Sequence, residues 1–256
     1  MMWIDTHCHL DAAEFDPDRV AVHGAALEKG VGTIVVPAVE AANFQAVTEV
    51  CRLHPGCFPA YGIHPMYVAK ARESDLEELR AVLADGKAVA VGEIGLDFFV
   101  EDGDVARQEG FFAEQLKIAR DLDLPVLLHL RRAVDTVLKH LRRTQVRGGI
   151  AHAFNGSRQQ AEEFIKLDFK LGFGGAMTWS RATRLRQLAA TLPLSAIVLE
   201  TDAPDIPPEF IGRARNSPAY LPRIAETLAE LRGLSLAAVA EATSENAQSV
   251  LSRLPA

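Results

Sequence analysis

The sequence has few cysteines and no long apolar run. These two features argue against a disulfide-rich protein and a membrane-spanning protein. Its three cysteines, Cys8, Cys51 and Cys57, are odd in number and form no CxxC pair. This usage favours free thiols in a reducing cytoplasm over a disulfide framework. No stretch of about eighteen apolar residues is present, so a membrane span is not expected. The first residues, MMWIDTHCHL, lack the basic and apolar regions of a secretory signal, which also predicts a cytoplasmic protein.

An excess of positive charge is lacking as well, since the formal net charge is −7. Proteins that bind nucleic acid through a broad basic surface look different. A nucleic-acid partner is not excluded, because bound cations can supply positive charge locally. The chain does contain apolar residues for a sizeable core, 48% of its 256 residues, with no linker or low-complexity segment. Residues 1–256 are therefore predicted to form one domain.

Eight short apolar runs alternate with longer amphipathic stretches. Most runs are rich in Val, Ile or Leu on both faces, as buried parallel strands require. Eight strand–helix units of roughly thirty residues predict an α/β fold, a (β/α)₈ TIM barrel, with extra helices in residues 221–254. A doubly wound sheet is the alternative, but no glycine-rich phosphate loop follows the first run. The runs are residues 3–6, 33–36, 58–62, 88–94, 125–129, 149–152, 170–173 and 196–201.

Local patterns predict where four helices begin. Two of the patterns place a capping side chain before a proline at the first helical position. The other two are capping boxes, in which two side chains bond to each other's backbone N–H groups. The predicted starts are Asp16 before Pro17, Ser74 with Glu77, Ser157 with Gln160, and Ser217 before Pro218.

Side chains that can bind metals stand at the downstream ends of six apolar runs. Active sites of α/β barrels form at that face, so these side chains are expected to converge on one mouth. Their mixture of imidazoles and carboxylates predicts one or two divalent ions, Zn, Mn, Mg, Ni or Co, and suits a transition metal better than Mg. They are His7, His9, His64, Glu93, His129, His152 and Asp202.

The His7-Cys8-His9 segment fits a strand that enters this mouth. Side chains alternate along a strand, so His7 and His9 are expected to share the inner face. Cys8 should then point toward the helices, together with Ile4 and Thr6, and is not expected to be a ligand.

Two carboxylates are interpreted as catalytic residues. Glu93 ends a buried run, where it either pairs with an arginine or bridges two cations. Asp202 is interpreted as a ligand that also accepts a proton from water, the alternative being a turn aspartate. His129 and His152 are ligands or core histidines. A plausible partition gives one ion His7, His9, Glu93 and Asp202, and the other Glu93, His129 and His152.

Further polar residues are expected around this cluster. Asp5 shares a face with His7 and either orients an imidazole or forms a hydrogen bond inside the barrel. Glu200 is interpreted as a supporting or structural residue. Arg131, two residues after His129, is expected at the mouth, where a guanidinium suits phosphate oxygens. Candidates for contacts to a nucleic-acid backbone or base, or else ordinary loop residues, are Arg213, Arg215, Phe98, Phe99 and Trp179.

Seven short motifs follow one another with a distinctive order and spacing: DTHCHL, GIHP, GEIGLD, HLRR, HAFNGS, ETDAP and GRARNSP. From Asp5 to about Asn246 the chain thereby resembles the TatD family of metal-dependent deoxyribonucleases. The resemblance implies a barrel, a one- or two-cation site and DNase activity, often 3′-to-5′ on single strands. It also implies that His64 and Arg131 lie near the scissile phosphate. The metal ligands that it implies are His7, His9, Glu93, His129, His152 and Asp202.

Three classes of function remain open at this point. The first is a monomeric phosphodiesterase acting on DNA, with single-stranded ends as substrate. The second is an amidohydrolase or deacylase, for example of D-aminoacyl-tRNA, because some family members are described as such. Related barrel amidohydrolases often carry a carboxylated lysine where Glu93 stands, so this carboxylate favours the first class modestly. The third is a non-catalytic protein that binds metal or nucleic acid.

Overall fold

The computed structural model describes residues 2–99 and 104–255. Eight strands form one parallel sheet in sequential order, which confirms the predicted (β/α)₈ architecture. All eight predicted strands are present, although β4 extends three residues past the predicted run. The strands are β1 (Trp3–Asp5), β2 (Val31–Pro37), β3 (Cys57–Tyr61), β4 (Ala90–Asp97), β5 (Val126–Arg131), β6 (Gly149–Ala151), β7 (Phe169–Phe173) and β8 (Ile197–Leu199).

Hydrogen bonds just beyond β1 and β8 bring the first and last strands together. The N–H of Thr6 donates to the Leu199 carbonyl at 3.1 Å, and that of Asp202 donates to the His7 carbonyl at 2.8 Å. The same contacts place the residues after the two strands side by side. The barrel seam therefore sets His7 beside Asp202.

Helices follow the strands and cover the outside of the sheet. Two of them, α8 and α9, lie beyond the last strand, as the sequence predicts. No helix among the described residues is long and apolar enough to cross a bilayer. The helices are α1 (Arg19–Glu28), α2 (Phe44–Leu53), α3 (Glu73–Ala84), α4 (Val105–Asp121), α5 (Val134–Thr144), α6 (Arg158–Lys166), α7 (Thr183–Thr191), α8 (Leu221–Arg232) and α9 (Leu236–Val250).

Helix α9 and the residues after it close the end of the barrel opposite to the predicted mouth. Asn246 donates to the carbonyl of Ile197, where β8 begins, and Arg253 donates to that of Ala88, just before β4. Leu251 and Leu254 pack on the apolar cluster inside the barrel. The strands contribute Ile4, Val35, Ala60, Ala90, Leu127, Ile150 and Val198 to that inner cluster.

Two predicted helix starts are confirmed. At α6 the Gln160 N–H donates to Ser157 Oγ at 3.1 Å, and the Ser157 N–H donates to Gln160 Oε1 at 2.8 Å. Ser217 caps a short 3₁₀ turn, Pro218–Tyr220, that leads directly into α8. In both cases the serine oxygen satisfies a backbone N–H group that the helix leaves without a partner.

The other two predicted starts are wrong by two to three residues. Helix α1 begins at Arg19, because a 3₁₀ turn precedes it, and Asp16 pairs with the Arg19 guanidinium at 2.6 Å instead of capping. Helix α3 begins at Glu73, so Ser74 already lies inside its first turn. There the Asp75 carboxylate accepts from the Arg72 N–H at 3.0 Å and is the capping side chain.

The alternation expected from Ile4 to Cys8 is not observed. Ile4 belongs to the inner cluster, the reverse of its prediction, and Trp3 belongs to the apolar layer beneath the helices. Strand β1 ends at Asp5 and a bend follows at Thr6, so the alternation does not continue from Ile4 to Cys8. Cys8 does pack in the layer beneath the helices, as expected, with Sγ 3.7 Å from the Ala203 carbonyl oxygen.

We expect Leu251→Ala to lower the free energy of unfolding by about 2–5 kcal/mol, because it leaves a cavity where α9 packs on the inner cluster. Chemical denaturation measures the loss. Leu53→Ala is the matched control, since Leu53 is 55% exposed and should change stability by less than about 0.5 kcal/mol. Equal effects of the two substitutions would show that α9 does not seal the barrel.

Candidate metal centre

The structure brings all seven predicted side chains together at the carboxyl ends of the strands. Six of the eight strands contribute one or two of them each, and β2 and β7 contribute none. His7 and His9 follow β1, His64 follows β3, Glu93 lies in β4, His129 lies in β5, His152 follows β6 and Asp202 follows β8.

Four donor atoms from distant parts of the chain face one another across a small space. His7 Nε2 lies 3.1 Å from Glu93 Oε2, 3.4 Å from His9 Nε2 and 3.7 Å from Asp202 Oδ1. His9 Nε2 lies 3.6 Å from the same Glu93 oxygen and 3.7 Å from the same Asp202 oxygen. Donor atoms about 2 Å from a tetrahedrally coordinated ion are about 3.3 Å apart, so these spacings fit a divalent cation.

A second group of donors surrounds the other oxygen of Glu93. Oε1 lies 3.0 Å from His129 Nδ1 and 3.5 Å from His64 Nε2. His152 lies instead beside the first group, because its ring stacks on His7 at 3.7 Å and its Nε2 is 3.4 Å from Asp202 Oδ1. The predicted second ligand set, Glu93 with His129 and His152, is therefore not gathered at one point in the described residues.

His64 is oriented as a hydrogen-bond donor. Its Nδ1 accepts from the Met66 N–H at 3.2 Å, so the neutral ring carries its proton on Nε2, which faces Glu93. Burial lowers the pKa of His64, which favours this neutral form. His64 is thus the site histidine whose Nδ1 is used by a backbone N–H group.

Asp97 is a site residue that the sequence analysis missed. Its Oδ2 lies 3.0 Å from His129 Nε2, on the side of the ring away from Glu93, and its Oδ1 accepts from the Phe99 N–H at 2.9 Å. A carboxylate that holds the far nitrogen of an imidazole fixes the ring and its tautomer. Asp97 stands four residues after Glu93 in the motif GEIGLD, so the two side chains are expected on the same face of the strand. Asp97 could have been predicted from this spacing.

Asp5 and Glu200 support the site from below. Asp5 accepts from the Thr201 N–H and hydroxyl at 2.9 and 2.6 Å and from the His7 N–H at 3.2 Å. It therefore holds the backbone of the seam, which is the second of its two predicted roles. Glu200 Oε1 lies 3.0 Å from His152 Nδ1, although the angle is not that of a hydrogen bond.

The buried carboxylates and imidazoles shift one another's ionisation. Burial alone would raise the pKa of Glu93, but the imidazoles of His64 and His7 outweigh it and hold that pKa well below its usual range. Burial alone would also raise the pKa of Asp202, but the imidazole of His152 outweighs this effect and lowers that pKa. Against the effect of burial, Glu93 and Asp202 raise the pKa of His9 to about 9. Both carboxylates are thus ionised at neutral pH.

Three members of the cluster reach solvent and define its opening. The side chains of His9, Asp202 and His129 are 17%, 13% and 18% exposed, whereas Glu93 and His7 are almost completely buried. Among the described residues, these three side chains of the cluster are therefore the ones that a substrate would meet first.

Aromatic and basic residues lie around the mouth. Arg131 is exposed at the end of β5, and its guanidinium lies 3.8 Å from the centroid of the Phe99 ring. Arg132 lies over the same ring at 4.5 Å. Arg215, one of the predicted backbone contacts, is instead held by the Asp18 carboxylate at 2.6 and 2.9 Å.

The loop after β8 is held by a residue from the GRARNSP motif. Asn216 is completely buried, and its Nδ2 donates to the carbonyls of Thr201 at 2.8 Å and Asp205 at 2.9 Å. These bonds fix the backbone on both sides of Asp202. The motif alone predicted no role for Asn216.

The barrel gathers imidazoles and ionised carboxylates at its mouth. This arrangement places the protein in the class of metal-dependent hydrolases. A family model described as TatD related DNase matches residues 4–252, and the chain belongs to this TatD family.

Individual relatives agree with this assignment. The chain is 42% identical over 247 residues to the Escherichia coli K12 protein described as uncharacterized metal-dependent hydrolase YjjV, covering 95% of each. The crystal structure of that protein matches with a TM-score of 0.93 over 97% of both chains. A Cronobacter sakazakii protein described as 3′-5′ ssDNA/RNA exonuclease TatD is 31% identical over 250 residues, again covering 95% of each. The resemblance stated from the motifs is confirmed.

We expect Asp97→Asn to weaken binding of a divalent cation by roughly 10- to 100-fold, because His129 loses the charged partner that fixes its ring. Competition with a chromogenic chelator for Zn²⁺ or Mn²⁺ measures the affinity. Asp123→Asn is the matched control, since the side chain of Asp123 is 81% exposed, and it should leave affinity unchanged. Unaltered affinity in Asp97→Asn would contradict the positioning role.

Proposed function

We propose that the protein is a divalent-metal-dependent deoxyribonuclease that hydrolyses DNA phosphodiester bonds and releases nucleotides from the 3′ ends of single strands. The observation that carries the proposal is that the Nε2 atoms of His7 and His9 lie 3.1–3.7 Å from each other and from the facing oxygens of Glu93 and Asp202. The family description and the exonuclease name of the Cronobacter relative support nucleic acid as the substrate.

His7, His9, Glu93 and Asp202 would hold one cation. Glu93, His129 and His152 would hold a further cation, and this second set would require the rings of His129 and His152 to approach each other. When bound, the cations neutralise phosphate charge and lower the pKa of water. The donor set fits such ions, because it combines ionised carboxylates with buried imidazoles that face the same space.

Asp202 is the proposed general base. Hydrolysis adds a water oxygen to phosphorus, breaks the bond to the leaving sugar oxygen and requires uptake of a water proton. The lowered pKa of Asp202 keeps its carboxylate ionised, and its 13% exposure lets water reach it. The proton would pass to a carboxylate oxygen of Asp202, while Glu93, deeper in the barrel, keeps the ligands in place.

Arg131 and His64 are the proposed phosphate contacts. The Arg131 guanidinium stands at the mouth and stacks on Phe99, which limits its motion and presents its N–H groups to an incoming strand. His64 Nε2–H lies just inside the mouth, 3.5 Å from Glu93. Two donors at different depths would position a phosphate group above the carboxylates.

The protein with added Mn²⁺ or Mg²⁺ should release nucleotides from labelled single-stranded DNA, and Glu93→Gln should abolish the release. Glutamine keeps the size of the side chain but removes the charge that faces His7 and His129. Gel or chromatographic analysis of the products measures the release and its polarity.

The same preparation given D-aminoacyl-tRNA and a panel of small amides tests the alternative class. Glu109→Gln, at a partly exposed carboxylate that pairs with His140 outside the site, is the matched control and should retain activity. Turnover of acyl substrates without nucleotide release would overturn the proposed function.

Arg131→Ala should raise the KM for DNA by roughly 10-fold or more while leaving cation affinity unchanged, because it removes a charged contact to phosphate. Steady-state kinetics on labelled oligonucleotides measures KM. The control is Arg143→Ala, an exposed arginine in the last turn of α5 at the opposite end of the barrel. Indistinguishable KM values for the two variants would remove Arg131 from the substrate site.

A further inference from the structure

A shallow cavity of about 420 Å³, open to solvent, lies between the loops after β7 and β8. Ligand pockets commonly have volumes of roughly 300–1,000 Å³, so the space suits a small ring system. Both loops follow strand ends and therefore lie on the same face of the barrel as the metal centre. We call it the Trp179 cavity; its lining residues are Ala176, Trp179, Arg181, Ala182, Ile206 and Pro207.

The indole of Trp179 is fixed in place. Its Nε1–H donates to the Pro207 carbonyl at 3.0 Å, and the ring is half-buried, so part of its surface remains open to the cavity. Most of the other lining side chains are alanine, isoleucine or proline, which leaves the aromatic ring as the largest contact surface. A fixed, partly exposed ring in an apolar cavity can stack a flat ligand without first losing conformational freedom.

Further hydrogen bonds join the loops after β7 and β8 to each other. Glu209 accepts from the Ser180 N–H and hydroxyl at 3.2 and 3.1 Å, and its own N–H donates to Thr178 Oγ1 at 2.7 Å. The loops touch so closely that a Cβ on Gly175 would lie 2.1 Å from the Ile206 carbonyl oxygen. The Trp179 cavity is thus formed before any ligand binds.

Charge at the cavity is positive where a phosphate would lie. Arg181 is exposed, and its guanidinium lies over one face of the Trp179 ring, 4.8 Å from the ring centroid. A base would therefore stack on the other face of the ring, and the guanidinium would contact the phosphate of the same nucleotide or its neighbour.

The Trp179 cavity is also within reach of the metal centre. Ile206 stands four residues after Asp202, so their Cα atoms are at most about 14 Å apart. Asn216 ties this segment down, with Nδ2 donating to the carbonyl of Thr201 at 2.8 Å and to that of Ile206 at 3.3 Å. A strand whose phosphate lies over the carboxylates could therefore place a nearby base on Trp179.

We infer that the Trp179 cavity is a nucleotide-binding subsite, in which Trp179 stacks one base of a single-stranded nucleic acid and Arg181 contacts an adjacent phosphate. The inference rests on the proposed function in one respect, that nucleic acid is the substrate. It adds a base-binding site that tolerates any sequence, because every base presents a flat face for stacking.

A binding experiment in EDTA tests the subsite separately from catalysis. The chain has two tryptophans, and Trp3 is 3% exposed, so quenching of tryptophan fluorescence by an oligothymidylate reports on Trp179. We expect binding to be roughly 5- to 100-fold tighter for oligothymidylate than for an abasic strand of the same length, as measured by a labelled-strand competition assay. Trp179→Ala should abolish that preference, whereas Trp179→Phe should retain most of it.

Two further variants complete the test. Arg181→Ala should weaken binding of both strands and reduce the slope of log affinity against log salt by about 1, as the loss of one phosphate contact requires. Leu53→Ala, at the exposed end of α2, is the control and should bind like the unaltered protein. Thermal unfolding of each variant establishes that it is folded.

The outcomes distinguish the subsite from the proposed reaction. Base-dependent binding through Trp179 without DNA cleavage would leave the subsite standing and overturn the deoxyribonuclease. Cleavage of DNA with equal affinity for base-bearing and abasic strands would overturn the subsite alone. An unchanged preference in Trp179→Ala would do the same.

Discussion

The burial of two ionised carboxylates among imidazoles is the constraint on which the rest of the structure depends. Glu93 and Asp202 keep their charge inside the barrel mouth only because histidines from several strands face them. An uncompensated buried carboxylate would be strongly unfavourable, and it would become protonated or move into solvent. The barrel supplies the compensation by geometry, since parallel strands all end at one face and need not be neighbours in sequence. Loss of one strand end would therefore leave charge unbalanced at the others.

A shell of fixed backbone and side chains holds these charges in position. Asp5 ties the seam between β1 and β8, Asp97 holds the far side of His129, and Asn216 anchors the loop after Asp202. All three are buried, and each uses hydrogen bonds to hold a residue of the cluster or its neighbouring backbone. These hydrogen bonds satisfy the polar atoms of the three side chains, and the side chains can therefore be buried. The precision of the cluster thus comes from residues that do not themselves face its centre.

Much of this architecture could be predicted from the sequence, because its signals are local or periodic. Eight apolar runs gave eight strands, and the metal-binding side chains at their ends do meet. The errors arise where tertiary contacts override local pattern. Asp16 looks like a cap but pairs with Arg19, and the end of β1 at Asp5 breaks the alternation expected from Ile4 to Cys8. Asp97 was missed because its partner lies in β5 and can be identified only when β5 is placed beside β4. The arrangement of His129 and His152 depends on ring orientations, which no spacing encodes.

The charge of the mouth explains why cations and rim arginines belong together in the proposed function. The chain carries a net charge of −7, and the deepest charged groups of the site are carboxylates, so the centre by itself would repel a phosphodiester. Arg131 and Arg181 are exposed, and they would attract a strand to the rim. Divalent ions held by the carboxylates would reverse the sign of the local field. Attraction at the rim and charge reversal at the centre are therefore separate requirements, one for holding the strand and one for hydrolysing it.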